Sequence, residues 1–166
     1  MPSAQCLYHQ WMTSRRDWLK LALGGLVVIV PGGTVLAASV QKSDNDMEIW
    51  KTPTCGCCHL WVEHVKAAGF KPTIHDVPDT TPYRTKAGVP QTLGSCHTAI
   101  VAGYAIEGHV PADLIRRAIK ERPKIVGLAV PGMPAGSPGM EQGTRKDKYD
   151  VVAFTKDGKT SVFASR

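Results

Sequence analysis

Three of the five cysteines in this sequence stand within Cys55-Gly56-Cys57-Cys58, and His59 follows at once. A free cysteine usually packs as a small hydrophobe, and its reactivity is what sets it apart. Three thiols crowded around one glycine are not a packing pattern; they make a soft-metal or redox site. Cys55 and Cys58 alone form a Cys-x-x-Cys pair, the arrangement of a dithiol oxidoreductase. Cys57 would offer that pair competing disulfides. Because it is adjacent to Cys58, the three side chains also converge poorly on a single tetrahedral ion. Thiolates leaving one turn in different directions suit several soft ions, Cu(I) first among them, since thiolates and thioethers select it. Zinc in a Cys3His site is a further option, but structural zinc usually takes two paired ligand sets and only one crowded set is present.

Other donors stand further along the chain. Cys96-His97 precedes a strand-like stretch, and Cys96 could bring a fourth sulfur to the first turn. His109, in Glu107-Gly108-His109-Val110-Pro111, lies at a strand-to-helix junction. Met133 and Met140 belong to a loop so rich in proline and glycine that it has no periodic core face, so their thioethers could serve as soft ligands. His59 borders the cysteine turn, His64 reads as a solvated helix residue, and His75 and His9 have no supporting context.

The elements that must position these groups follow from periodicity. Met47–Lys51 alternates apolar and polar and reads as a strand. His59–Ala68 has helical spacing and ends at Gly69, which puts the cysteines on the strand-to-helix turn before it. There a helix N-terminus favours the thiolate. A second strand within Lys71–Val77 and a short helix over Thr80–Gly88 follow. Next comes a hairpin of Thr98–Val101 and Tyr104–Ile106 about Ala102-Gly103. Pro111–Arg122 is the clearest helix, with Leu114, Ile115, Ala118 and Ile119 on one face and Pro123 after it. Residues 130–140 carry Pro-Gly-Met and Ser-Pro-Gly-Met, a composition that excludes helix and central strand. Tyr149–Phe154 and Thr160–Phe163 read as a terminal hairpin about Asp157-Gly158. The order β-α-β-α-β-β-α, with cysteines on the first β-to-α turn, predicts an α/β, thioredoxin-like domain over 47–125. A C-terminal extension over 126–166 would carry the Met-bearing loop and the hairpin.

The first 38 residues read as an export signal: Arg15-Arg16, an uncharged stretch from Leu21 to Val40, and small residues at Ala37-Ala38. Ser14-Arg15-Arg16-Asp17-Trp18-Leu19-Lys20 resembles the twin-arginine pattern, with Trp18 where phenylalanine is usual. Pro31-Gly32-Gly33 breaks the apolar stretch, which argues for removal over stable membrane insertion. Residues 39–46 are polar and read as a linker. Removal of the signal takes Cys6 and leaves Cys55, Cys57, Cys58 and Cys96, an even set for an oxidising compartment. At 166 residues and 43% hydrophobic, the chain supports one compact domain with a tail. Its net charge of +6 is scattered and its aromatic content is 7%, so no basic, aromatic-interleaved run for nucleic acid is present. No Gly-rich phosphate loop or Ser-His-Asp arrangement stands out.

Four motifs in order carry a resemblance: Thr54-Cys55-Gly56-Cys57-Cys58 with Trp61; Ser95-Cys96-His97-Thr98-Ala99; Ile106-Glu107-Gly108-His109-Val110-Pro111; and Gly127-Leu128-Ala129-Val130-Pro131-Gly132-Met133 with Gly136-Ser137-Pro138-Gly139-Met140. Together, from about Met47 to Met140, they resemble the CopG-type copper-resistance family. The resemblance implies a thioredoxin-like periplasmic protein whose cysteines build a cysteine-bridged copper cluster, with a role in interconverting Cu(I) and Cu(II). It carries Cys55, Cys57, Cys58 and Cys96 over as copper ligands, with Met133, Met140 and His109 as further ones. Expected partners are copper ions and a copper efflux system or another periplasmic copper protein, and the chain is expected to be a monomer. A thiol-disulfide oxidoreductase using Cys55 and Cys58, or a copper chaperone without redox activity, is the alternative.

Overall fold

The computed structural model describes residues 43–141 and 143–166. The expected export signal, with Cys6, lies outside the described residues. Among those described, no helix is long and apolar enough to cross a membrane.

The elements are β1 (Asp46–Lys51), α1 (Gly56–Ala67), β2 (Lys71–Asp76), α2 (Thr81–Lys86), a 3-10 turn at Gln91–Leu93, β3 (His97–Val101), β4 (Tyr104–Glu107), α3 (Ala112–Glu121), β5 (Gly127–Ala129), β6 (Asp150–Phe154) and β7 (Thr160–Ser165). They build a mixed α/β fold on one seven-stranded sheet of order β2-β1-β3-β4-β5-β6-β7. The pairs β1/β2 and β4/β5 are parallel and the rest antiparallel. The three-residue β5 is too short to show a period in the sequence. It joins the terminal hairpin to the same sheet through β4 on one side and β6 on the other.

Alternation along the strands divides the core in two. Met47, Ile49, Ala99, Val101, Ile106 and Leu128 pack with Trp61, Val62 and Val65 of α1 and with Leu114, Ile115 and Ala118 of α3. Ala105, Ala129 and Phe154, one position out of step, pack on the opposite face against Val89 and Leu93, in the segment after α2. Lys51 continues the inward phase of β1 and is fully buried, its Nζ 2.6 Å from Asp76 Oδ1 on the neighbouring strand.

Helix α1 starts at Gly56, three residues before the start the sequence predicts, so Cys57 and Cys58 lie in its first turn and Cys55 is its N-cap. His64 is not simply solvated, as the sequence suggests. Its Nε2 accepts the backbone N–H of Ala112 at 3.0 Å and satisfies one of the unpaired donors at the start of α3. Burial lowers the His64 pKa below 6.5, against the opposing charges of Glu141 and Asp113. An imidazole that must be neutral to accept this bond stabilises the fold fully above the unfolded value of 6.5. That stability is lost as pH falls through the lower folded value. His64→Ala is therefore expected to cost about 1 kcal/mol at neutral pH. The gap in melting temperature between metal-free wild type and variant should close in acid. A gap independent of pH would remove the capping role.

Candidate metal centre

The centre forms where the end of β1, the start of α1, the start of β3 and the end of β4 meet. Cys55 and Cys58 are joined as a disulfide, and Cys57 and Cys96 are free. Cys57 Sγ lies 3.5 Å from Cys55 Sγ and 4.0 Å from Cys96 Sγ. Cys58, wholly buried, sets its sulfur 3.7 Å from the Cys96 carbonyl oxygen. All four sulfurs lie within 4.8 Å of one another. The strand-to-helix turn and the start of β3 thus bring together the four cysteines singled out in the sequence.

Cys96 belongs to a second group as well. Its sulfur is 3.1 Å from His109 Nε2 and 3.4 Å from His97 Nδ1, and the three ligand atoms fall within 4.8 Å of one another. His109 Nδ1 donates to the Pro138 carbonyl at 2.8 Å, which leaves the Nε2 lone pair facing Cys96. A carbonyl behind the ring that fixes its tautomer is the usual support for a metal-binding histidine. Burial lowers the His109 pKa, against the Pro138 bond and the Glu141 charge, so the ring is neutral at pH 7. His97 is fully buried, tilted against Trp61 with ring centroids 4.3 Å apart. Its Nε2 has no hydrogen-bond partner among the described residues. Burial first, then the nearby His109 and Lys51, push its pKa down to about 3, against the Gly108 backbone. Cys96 moves the other way: burial, then the Cys57 charge, push its thiol up to about 12. Without a cation, this pocket holds Cys96 as a thiol and both imidazoles neutral. A soft cation would displace the thiol protons and meet sulfur and nitrogen donors only.

The Pro/Gly-rich loop touches the centre through its backbone. Met133 is 42% exposed, at a left-handed φ of 48°. Met140 is half-buried, in a turn closed by its N–H on the Ser137 carbonyl. The Pro138 carbonyl accepts from His109, and Gly139 packs on the start of α1. A Cβ on Gly139 would lie 2.8 Å from both Cys57 O and Trp61 N. His59 turns its Nε2 toward Lys51 Nζ at 3.3 Å and the Pro53 carbonyl at 3.2 Å. His75 pairs with Glu48 at 2.6 Å on β1 and stacks on Trp50.

Sequence reasoning missed a buried polar group behind Cys96. Glu107 ends β4 with no exposed side-chain surface, and Arg84 of α2 meets it with Nε at 2.8 Å from Oε1. An acid following Tyr104-Ala105-Ile106 in a strand with every position buried was its only sequence signal.

Comparison with known proteins accords with this geometry. A family described as "Protein of unknown function, DUF411" matches residues 93–140, from Leu93 through the loop to Met140. No curated protein matches the chain. Two solved structures, "Copper resistance protein copG- Form 2" and "Copper resistance protein copG- Form 1", are each 46% identical to it with a TM-score of 0.69. They cover 73% of this chain, and the match takes in 97% and 96% of theirs. With that identity along nearly the whole of both relatives, and with the cysteines of its first turn joined by Cys96, the chain belongs to the CopG copper-resistance family.

Proposed function

We propose that this chain is an exported, periplasmic copper-binding protein of copper resistance. It holds Cu(I) in a cluster of Cys55, Cys57, Cys58 and Cys96 thiolates and interconverts Cu(I) and Cu(II). One observation carries the reading: the four sulfurs lie within 4.8 Å of one another, and Cys96 is shared with a group formed with His97 and His109. A thiolate common to two donor groups is suited to bridge neighbouring ions. His109 supplies a neutral imidazole on one side of Cys96 and Cys57 a second sulfur on the other. Met133 and Met140 act as outer, exchangeable thioether ligands that receive or pass on copper at the rim. The domain over 47–125 is of thioredoxin-like type, the segment 126–166 is its extension, and residues 1–38 are the signal that sends it to the periplasm. A copper efflux system or another periplasmic copper protein is the partner.

Binding Cu(I) replaces thiol protons, so uptake releases acid and strengthens as pH rises. Anaerobic loading of the reduced chain, followed by metal analysis, tests the cluster. The wild type should retain copper through gel filtration, and Cys57→Ser should retain less. Retention of less than one copper per chain, or equal loading of the variant, would sink the cluster.

The Cys55–Cys58 disulfide favours a second reading, a thiol-disulfide oxidoreductase. That activity should survive Cys57→Ser and need no metal. If the metal-free chain does not reduce a model disulfide, this second reading falls.

A further inference from the structure

Cys96 and His97 lie between two residues that are tied to one buried carboxylate. Glu107 Oε1 accepts the Ser95 N–H at 2.6 Å and Arg84 Nε at 2.8 Å, while Oε2 accepts the Thr98 hydroxyl at 2.6 Å. The other arm of the Arg84 guanidinium, Nη2, donates to the Ser95 carbonyl and, at 3.2 Å, to Thr80 Oγ1. One ion pair therefore holds both the N–H and the C=O of the residue before Cys96, and its second oxygen holds the residue after His97. Glu107 is also two residues before His109, and Gly108 between them packs against Ser95: a Cβ there would lie 2.5 Å from Ser95 Oγ.

Removing two charges from water costs several kcal/mol per ion in effective terms, which their attraction offsets only in good geometry. Such a pair is weak grounds for stability. What it does here is fix geometry, because every polar atom of the carboxylate is directed at the segment bearing Cys96.

We propose that Arg84 and Glu107 are positioning residues of the metal centre: their buried pair sets Cys96 against Cys57 and His109. The proposal rests on the copper reading above but concerns the placement of one sulfur, which can be followed with or without metal. Arg84→Lys keeps the charge and loses the fork, since one ammonium cannot span Glu107 and Ser95 as the guanidinium does. Glu107→Gln keeps the shape and loses the charge.

The test uses both variants, with Val151→Ala as a control for general loss of stability, because Val151 is fully buried on β6 outside the centre. The reduced chains are titrated with Cu(I) against a chromophoric chelator, and the thiolate-to-copper absorption is recorded. Both variants should lose about 10–100-fold in Cu(I) affinity, as is typical for groups that orient metal ligands, with an altered spectrum. Val151→Ala should keep the wild-type spectrum. In parallel, alkylation of Cys96 in the metal-free chain is followed by peptide mass spectrometry. Its rate should rise about tenfold in both variants, with that of Cys57 unchanged, as a local loosening would require. Wild-type labelling rates in both variants, or equal changes in Val151→Ala, would overturn the positioning role. If the wild type binds no copper, the cluster reading falls and the labelling rates alone decide the positioning.

Discussion

Copper uptake is expected to follow the redox state of Cys55 and Cys58. In the disulfide form two of the four sulfurs are bonded to each other, and a disulfide sulfur, unlike a thiolate, is not the ligand that soft ions select. Cys57, Cys96 and the imidazoles remain, donors for one ion rather than for a cluster. Two-electron reduction returns two thiolates, and Cys58 in the first turn of α1 gains from the helix N-terminus. The reduced chain should bind more copper than the oxidised chain, and with affinity at least about tenfold higher, the scale on which removal even of outer-shell support is felt. Copper counted against titrated free thiols, before and after reduction without oxygen, measures this. A Cys55→Ser variant, unable to form the Cys55–Cys58 disulfide, should load less than reduced wild type. Equal loading of oxidised and reduced wild type would rule out any part for Cys55 and Cys58 as ligands.

Gly139→Ala should produce the second large effect. The position combines a φ of 83° with backbone at 2.8 Å on two sides, Cys57 O and Trp61 N, and neither atom can yield as a flexible side-chain tip would. Overpacking of this kind costs about 1–3 kcal/mol, with the left-handed backbone adding to it. The chain can relieve the clash by lifting the loop, and the Pro138 carbonyl would leave His109 with it. Copper affinity should therefore fall together with thermal stability. Gly132→Ala is the matched control, since Gly132 has a φ of 75° and nothing within 4 Å of its added Cβ. The difference between the two variants isolates the contact with α1. If both lose the same stability and neither loses copper, the loop does not support His109.

These two effects differ in how far the sequence alone foretells them. The crowding of Cys55, Cys57 and Cys58 after a strand-like stretch already places a reactive turn, and Cys96 before the third strand completes the set. Both readings depend on local periodicity, which alternation in β1 and helical spacing in α1 make plain. The helix start was harder to see, because Gly56 and two cysteines are poor helix formers that adopt the first turn only in tertiary context. Gly139 reads as loop punctuation, and nothing in a Pro-Gly-Met stretch says that its missing side chain is what admits α1. His64 looks like a surface residue until α3 brings Ala112 to it. Arg84 and Glu107 are ordinary charges on separate elements, and their pairing appears only when α2 closes over the end of β4. Composition also draws attention to Met133, which the structure leaves 42% exposed in its loop.

The spread of the ligands along the chain has a topological consequence. Cys57 and Cys96 are 39 residues apart, and His109 and Pro138 a further 29. An ion held at the centre ties the start of α1 to the start of β3, and through His109 it also ties in the loop that follows β5. It acts as a removable cross-link closing a long loop, the kind that most restricts an unfolded chain. Because the set converges only in the folded chain, each tenfold excess of copper over its dissociation constant adds about 1.4 kcal/mol to folding. Starved of metal, the same chain must rely on its sheet and its two cores alone.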